Sequence, residues 1–298
     1  MTEGVEKNPY CTKKYVELAA RGLRVAALET ARMTVCVRPT PVGEACDAAG
    51  AYPLASPQGA FRISELRKEL RDLGLVTLTW VQDPFEDLPE TADELDLNIA
   101  YKTHFIVDRE MGPVDYPGLH QRNIKRALKL CEVREIDLLD HLDPWSRLYE
   151  NLIARHSLGG THAFDPDYFR GLAKIKGVRT LGAFRDGELV SGHIWVCASD
   201  RVYSHLAASS AEGYRTGAAF GVNATALDIF DAYRFVSFGG VPDGEAGDGL
   251  RRFKSGFTNS SKMVRLCGVV GDQKLYQALN TQAGVRSDEA GYFPPYRV

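Results

Sequence analysis

The chain has 298 residues, of which 44% are hydrophobic and 25% are charged, and its formal net charge is −3 with a pI near 6.2. This composition is typical of a globular protein with about two domains, and it excludes a disordered chain. The slightly acidic balance argues against a surface that binds nucleic acid over its whole extent, because such a surface needs a basic field. A local basic patch is compatible with it.

Six cysteines are scattered through the sequence without a CxxC pair. Neither a disulfide framework nor a zinc site is therefore predicted, and we expect no bound metal. No stretch approaches the roughly 20 apolar residues that cross a membrane, and the first ten residues contain acidic side chains and no apolar run. We therefore expect a cytoplasmic protein without membrane insertion.

The first part of the chain alternates between helical and extended patterns. A helix is predicted over residues 15–23 and another over 65–73, because apolar residues recur at helical spacing and a glycine follows each pattern. Strands are predicted over 24–28, 33–37, 75–81 and 97–107, where β-branched and apolar residues dominate. Residues 38–61 contain several prolines and glycines and predict an irregular loop.

The second part opens with helices and then becomes rich in strands. Helices are predicted over 119–131, 145–156 and 167–176, the last two following Asp-Pro pairs. Strands are predicted over 178–184, 189–197 and 201–207, then a helix over 216–233, strands over 235–238 and 263–270, and a last helix over 273–281. The order is one of antiparallel strands, a central helix, a further strand and a closing helix.

The segment from Phe238 to Lys262 differs from a packing segment. Two glycines follow a short strand, a polar Gly/Asp loop comes next, and then Gly-Leu-Arg-Arg-Phe-Lys-Ser-Gly-Phe occupies residues 249–257. Glycines allow positive φ and close backbone approach to a ligand, and three cations concentrate positive charge there. The segment therefore predicts a functional loop.

This motif resembles the closing motif of the FemAB-like transferases, which include the BioF2-like branch and belong to the GNAT acyltransferase superfamily. Four other motifs occur in the order of that family, at residues 52–59 (Tyr-Pro-Leu-Ala-Ser-Pro-Gln-Gly), 102–108 (Lys-Thr-His-Phe-Ile-Val-Asp), 120–128 (His-Gln-Arg-Asn-Ile-Lys-Arg-Ala-Leu) and 202–209 (Val-Tyr-Ser-His-Leu-Ala-Ala-Ser). The resemblance spans about residues 50 to 262.

The resemblance implies an α+β fold with two GNAT-like domains, each a mixed, mostly antiparallel sheet flanked by helices. Residues 1–117 are expected to form a degenerate N-terminal copy, and residues 118–298 the catalytic domain. Its activity is expected to be acyl transfer to an amine, with amide-bond formation.

The resemblance also implies that Phe253 and Lys254 lie beside the reacting ester, where the lysine stabilises negative charge on the carbonyl oxygen. A cation at a developing oxyanion is worth about 10²–10³ in rate, by analogy with oxyanion-hole donors. The alternative interpretation is that Lys254 lies over Phe253 and Phe257 on a surface loop.

The general base is open. His205 and His193 lie on predicted strands, where a histidine is either a cleft residue or a hydrogen-bonded packing residue. Asp243 and Glu245 lie in the glycine loop and are either amine-binding or solvated. A transferase of this kind also works without a protein base when the amine loses its proton to substrate or solvent.

Phosphate-binding residues are predicted in three places. In GNAT acetyltransferases a Gln/Arg-x-x-Gly-x-Gly/Ala loop holds the coenzyme A pyrophosphate at a helix N-terminus, and residues 214–219 match it with a tyrosine at the first position, which makes Arg215 and Gly217 candidates. A structural turn is the alternative. The other candidates are basic residues on the predicted helix 119–131 and in the closing motif: His120, Arg122, Lys125, Arg126, Lys129, Arg251 and Arg252. A solvated charged face is the alternative for the helix.

We expect aminoacyl-tRNA as the donor co-substrate, with no permanently bound cofactor, and a small metabolite or a cell-wall or antibiotic precursor as the amine acceptor. Two alternatives are an acyl-CoA N-acyltransferase and a non-catalytic GNAT-like module that binds a nucleotide or metabolite. The oligomeric state is left open.

Overall fold

The computed structural model describes residues 8–156, 163–241, 247–285 and 292–297. Its helices are α1 (Lys13–Ala20), α2 (Ile63–Asp72), α3 (Gly118–Leu130), α4 (Leu142–His156), α5 (Pro166–Leu172), α6 (Ala211–Thr216), α7 (Ala218–Ile229), α8 (Asp248–Ser255) and α9 (Gln273–Gln282). Its strands are β1 (Val25–Leu28), β2 (Met33–Pro39), β3 (Cys46–Ala49), β4 (Leu75–Val81), β5 (Leu97–Asp108), β6 (Glu132–Ile136), β7 (Val178–Arg185), β8 (Glu188–Ala198), β9 (Arg201–Ser209), β10 (Phe235–Gly240) and β11 (Ser260–Val270). The predicted α+β class is confirmed.

The chain divides into two compact units. The first unit contains the described residues of 8–101 and 263–298, and the second contains those of 102–262. This division does not coincide with a boundary between residues 117 and 118. The division falls inside β5 and β11, each of which runs from one unit into the other. The C-terminal segment belongs to the same unit as the N-terminal segment.

Both units have the same sequence of strand pairings. In the first unit, β1, β2 and β3 pair antiparallel, β3 pairs parallel with β4, and β4 pairs antiparallel with β11. In the second unit, β7, β8 and β9 pair antiparallel, β9 pairs parallel with β10, and β10 pairs antiparallel with β5. A helix, α2 or α7, precedes the parallel partner in each case. The last strand of each series therefore comes from the other half of the chain.

The second unit packs helices on both faces of its strands. Gly192 of β8 lies against Trp145 of α4, and a Cβ there would be 3.0 Å from the indole. The next residue, His193, contacts Asn223 of α7. Because successive residues of a strand point to opposite faces, α4 and α7 cover opposite sides of β8. This explains why nine consecutive residues of β8, from Leu189 to Cys197, are buried.

Several predicted elements need correction. The helix predicted over 216–233 is broken at Gly217, whose φ of +71° separates α6 from α7. The predicted loop 38–61 contains β3, and β6 follows α3 directly. The cations of the closing motif lie on helix α8 and not on a loop. This short, polar helix is held by Phe253, whose ring packs on Phe220 of α7.

Gly177 ends the segment before β7 in a conformation that leaves no space for a side chain. Its φ is +86°, and a Cβ would lie 2.1 Å from the carbonyl oxygen of Cys197. Gly187, at the β7–β8 turn, has a similar φ of +83° and nothing within 4 Å of a Cβ. A substitution at Gly187 therefore meets backbone strain alone, whereas one at Gly177 meets both backbone strain and steric overlap.

We expect Gly177→Ala to lower the free energy of unfolding by about 2 kcal/mol or more beyond the effect of Gly187→Ala, because overpacking adds to strain. Gly187→Ala is expected to cost about 1–2 kcal/mol, the cost of a left-handed alanine. Urea denaturation of both variants measures the difference. Equal losses would show that the Cys197 backbone moves aside freely.

Candidate active site

Two parallel strands separate in the second unit. β9 and β10 pair from Arg201 opposite Phe235 to Tyr203 opposite Ser237, and this pairing ends there. β9 continues along β8 to Ser209, and β10 continues along β5 to Gly240. We call the diverging residues, 204–209 of β9 and 238–240 of β10, the strand fork. Diverging strands leave backbone groups available for other partners.

Lys254 supplies such a partner. It lies in the last turn of α8, and its Nζ donates a hydrogen bond of 2.8 Å to the carbonyl oxygen of Gly240. Burial and, to a smaller extent, the charge of Lys102 together lower the pKa of Lys254 to about 8. The ammonium is still mostly protonated at pH 7. It is thus a desolvated cation with two remaining N–H donors beside the strand fork.

The glycine pair of β10 makes room for this arrangement. Gly239 has a φ of +75°, and a Cβ on it would be 3.6 Å from the Nζ of Lys254. A Cβ on Gly240 would be 2.9 Å from the ring of His104. Both glycines therefore make room for protein groups, and their close approach to a ligand stays a prediction.

Two other residues of β5, Lys102 and His104, lie near Lys254. Burial lowers the pKa of His104 to about 3, with further contributions from the charges of Lys254 and Lys102, so His104 is neutral at pH 7. His104 is 6% exposed, and its Nδ1 is buried without a hydrogen-bond partner among the described residues. The charges of Lys102 and Lys254 oppose each other, so an anion bound here would relieve the repulsion.

Phe253 holds α8 in place. Its ring packs edge-to-face on Phe220 of α7 and on Phe257, with centroids 4.9 and 5.3 Å apart. Its carbonyl oxygen lies 3.0 Å from the Nε2 of His120, and Gly256 lies directly on the His120 ring. The aromatic neighbour of the lysine therefore anchors the helix, and Lys254 points inward instead of lying over an exposed ring.

A second polar group lies beneath α7. The Nδ1 of His193 is 2.8 Å from the Oδ1 of Asn223, and its Nε2 is 2.8 Å from the Oγ of Ser204. Burial lowers the pKa of His193 to about 3; the bond to Asn223 raises it, and the charges of Lys254 and His205 lower it. His193 is therefore neutral at pH 7. Ser204, the first residue of the strand fork, is half-buried.

His205, a predicted catalytic residue, lies on the opposite face of the strands. Its Nε2 is 2.9 Å from the hydroxyl of Tyr168 on α5, and Phe164 and Tyr168 pack beside the ring. Burial lowers the pKa of His205 to about 3. The register between β8 and β9 shifts at Ile194/Trp195, and Ser204 rather than His205 meets the α7 face.

Comparisons with known proteins complement this geometry. No protein-family model and no curated protein matches the sequence. Among solved structures, FemX has a TM-score of 0.63 at 12% identity, covering 92% of this chain and 95% of that chain. The C-terminal domain of a candidate lysylphosphatidylglycerol synthetase from Agrobacterium fabrum has a TM-score of 0.58 at 14% identity, covering 88% of each chain. L-PGS from Bacillus licheniformis has a TM-score of 0.55 at 13% identity, covering 92% of this chain and 97% of that chain.

The chain has a FemAB-like fold. The sequence resemblance predicts this GNAT-superfamily fold from five short motifs, and the similarity extends over most of the chain. At 12–14% identity the likeness concerns the fold, and the roles of individual residues stay predictions.

The predicted coenzyme A loop of this FemAB-like fold is a turn between α6 and α7. The guanidinium of Arg215 makes two bonds to Glu212, at 2.6 and 2.8 Å, and Arg185 also lies 2.8 Å from that carboxylate. Arg126 donates to the carbonyl oxygen of Arg215 at 2.8 Å. Gly217 ends α6 with a positive φ. Glu212 thus neutralises charge that a polyphosphate would need.

The remaining basic candidates are at the surface. Arg122, Lys125, Arg126 and Lys129 are exposed on α3, as is Arg252 on α8, and Arg251 lies 4.0 Å from Asp248. His120 is buried, however, and does not belong to this basic face. On the same helix, Leu119 and Leu128 are exposed, whereas His120 and Ala127 face the core. Asp243 and Glu245 lie outside the described residues.

In the described part of the chain, no cluster of three His, Cys, Asp or Glu side chains is placed to hold a metal ion, and no helix has the length and hydropathy to span a membrane. A cavity of about 400 Å³ lies away from the predicted site residues, between the start of α4 and the β7–β8 hairpin, with Arg134, His141 and Phe184 in its lining.

Three buried histidines, His104, His193 and His205, predict a loss of stability in acid. Each has its pKa lowered from 6.5 to about 3, so the unfolded chain binds more protons below pH 6.5. Stability is therefore full above pH 6.5 and falls as the pH decreases towards 3, by about 2 kcal/mol per histidine at pH 5. Urea denaturation of the wild type and of His205→Gln between pH 7 and 5 measures this, and the variant should show about two-thirds of the histidine-dependent slope. An identical slope in both proteins would contradict the assignment for His205.

Proposed function

We propose that this protein is an acyltransferase that forms an amide bond, taking an aminoacyl group from aminoacyl-tRNA and passing it to the amine of a small metabolite or of a cell-wall or antibiotic precursor. The observation that carries the proposal is the half-buried, desolvated ammonium of Lys254 at the strand fork, 2.8 Å from the carbonyl oxygen of Gly240.

The reaction explains why a desolvated lysine is useful there. An amine that attacks an ester carbonyl forms a new N–C bond, and the carbonyl oxygen becomes an oxyanion until the C–O bond to the leaving alcohol breaks. Lys254 can donate a second hydrogen bond to that oxygen while it keeps the bond to Gly240. Its charge acts in a low-dielectric environment, and the nearby charge of Lys102 makes the site more favourable to an anion.

The distribution of charge supports a nucleic-acid donor. Exposed Arg122, Lys125, Arg126 and Lys129 form a basic face on α3, and α3 and α8 are joined through the His120–Phe253 bond. A tRNA acceptor end bound on α3 would therefore bring its ester towards α8. Acyl transfer agrees with the name of one structural neighbour, a lysylphosphatidylglycerol synthetase.

The alternative donor is acyl-CoA. The α6–α7 turn has the glycine of a pyrophosphate loop with positive φ before a long helix, which favours this donor. The pairing of Arg215 and Arg185 with Glu212 opposes it.

Single-turnover transfer tests the proposal directly. Radiolabelled aminoacyl-tRNAs and labelled acetyl-CoA are presented in parallel, with a cell extract that supplies acceptors. We expect label to leave one aminoacyl-tRNA, and Lys254→Ala to slow the transfer about 10²–10³-fold through loss of oxyanion stabilisation. Lys68→Ala, at an exposed lysine of α2, is the control and should transfer at the wild-type rate.

Three results would change this assignment. Consumption of acetyl-CoA alone would make the α6–α7 turn the donor site. Binding of a ligand by both wild type and Lys254→Ala without turnover would favour a binding module. Equal transfer by Lys254→Ala and wild type would remove the lysine from the mechanism.

The basic face of α3 gives a separate prediction. The double variant Arg122→Gln/Lys125→Gln is expected to bind tRNA more weakly, and the slope of log affinity against log salt should decrease by about one for each lost phosphate contact. Filter binding over a range of salt concentrations measures both quantities. The matched control is Lys13→Gln/Lys68→Gln, which removes two exposed charges of the first unit. Equal salt slopes in the two double variants would exclude α3 as the tRNA contact.

A further inference from the structure

The hydrogen-bonded series Ser204–His193–Asn223 has no role in the proposal above, although it begins at the strand fork. Its three residues come from two strands and a helix: Ser204 lies on β9, His193 on β8 and Asn223 on α7. The inference that follows rests on the proposed function, because it concerns the proton that the attacking amine must lose.

The hydrogen bonds define which nitrogen of His193 carries its proton. The Oδ1 of Asn223 accepts from Nδ1–H at 2.8 Å, so Nε2 has a free lone pair, and the hydroxyl of Ser204 donates to it at 2.8 Å. Asn223 is 3% exposed and therefore holds this tautomer in place. An amine that reaches the Ser204 hydroxyl thus meets an oxygen acceptor backed by a neutral imidazole.

The charged and titratable groups around His193 keep it neutral. Lys254 of α8 and His205 of β9 both oppose its protonation, and Trp195 stacks on its ring at 3.9 Å. When an oxyanion forms beside Lys254, its negative charge offsets that of the lysine. The proton affinity of His193 therefore rises at the moment when the amine becomes acidic.

The low proton affinity of His193 favours a proton relay over a mechanism in which Ser204 attacks as a covalent nucleophile. An imidazole with a pKa of about 3 is a very weak base towards an alcohol such as Ser204. The ammonium of a tetrahedral adduct is far more acidic than an alcohol, and the oxyanion beside Lys254 raises the proton affinity of His193, so proton transfer from the adduct is much less unfavourable. The Ser204 hydroxyl passes a proton without itself carrying charge.

We propose that Ser204 and His193 form the proton relay of the transfer reaction, with Asn223 as the residue that positions the imidazole. The amine nitrogen bonds to the acyl carbon and releases its proton to the Oγ of Ser204, whose own proton moves to the Nε2 of His193. The C–O bond to the donor then breaks, and the proton returns through Ser204 to the leaving oxygen. No other reactant is consumed.

Transfer by Ser204→Ala and His193→Gln tests this relay. Both variants should slow single-turnover transfer about 10²-fold or more, the range for loss of general-base catalysis, with unchanged donor affinity. Hydroxylamine as the acceptor should reduce that loss to about tenfold or less, since its ammonium form is much more acidic and needs less help. Ser191→Ala is the matched control, because Ser191 lies on β8 and bonds to the hydroxyl of Ser209 instead of a histidine.

Asn223→Asp supplies a readout that a packing role would not change. A carboxylate at Nδ1 raises the pKa of His193, so the acidic limb of the pH–rate profile should move to higher pH. An unmoved limb would overturn the positioning role of Asn223. Equal losses by Ser204→Ala with hydroxylamine and with the physiological amine would overturn the relay.

Two further measurements separate the relay from neighbouring ideas. A mass gain on Ser204, in reactions quenched with acid before acceptor is added, would replace the relay by an acyl-enzyme. If the wild type transfers nothing, the proposed function fails, and ¹⁵N NMR of His193 then tests the relay alone: a neutral ring protonated at Nδ1, with an Nε2 shift that changes in Ser204→Ala, supports it, and protonation at Nε2 overturns it.

Discussion

The separation of β9 from β10 is the constraint on which the candidate active site depends. Two parallel strands that stay paired satisfy each other's backbone groups and leave no space between them. Here the pairing stops after Tyr203 and Ser237, and the chain fills the gap with side chains that are themselves polar. Lys254 bonds to the end of one strand, and Ser204 begins the divergent part of the other.

Burying cations in this place is costly, and the structure shows what holds them there. The ammonium of Lys254 has one backbone acceptor, and the like charge of Lys102 raises its energy further. Helix α8 nevertheless stays seated because the rings of Phe253, Phe220 and Phe257 pack together. Apolar packing thus offsets the electrostatic cost of burying the lysine. The negative charge of an anionic transition state would remove that cost.

The sequence predicts the elements with strong periodicity and the residues with local motifs. Strand β4 is predicted with its observed bounds, and Lys254 is a candidate site residue from its motif alone. His120 is misassigned because the phase of α3 turns it inward, which a surrounding run of cations conceals. Ser204 escapes notice because its importance comes from a partner eleven residues away on β8, across a shifted register. His104, Asn223 and Tyr168 are likewise recognisable only once distant elements meet.

The exchange of β5 and β11 has a consequence for how the protein folds during synthesis. Each unit obtains its last strand from the other half of the chain, and β4 pairs with residues nearly two hundred positions later, as Leu78 does with Val269. Contacts so distant in sequence close large loops and form slowly. On the ribosome, the edge of β4 therefore stays unpaired until β11 has emerged. In that interval, the β4 edge of one nascent chain can pair with a strand of a second copy of the chain.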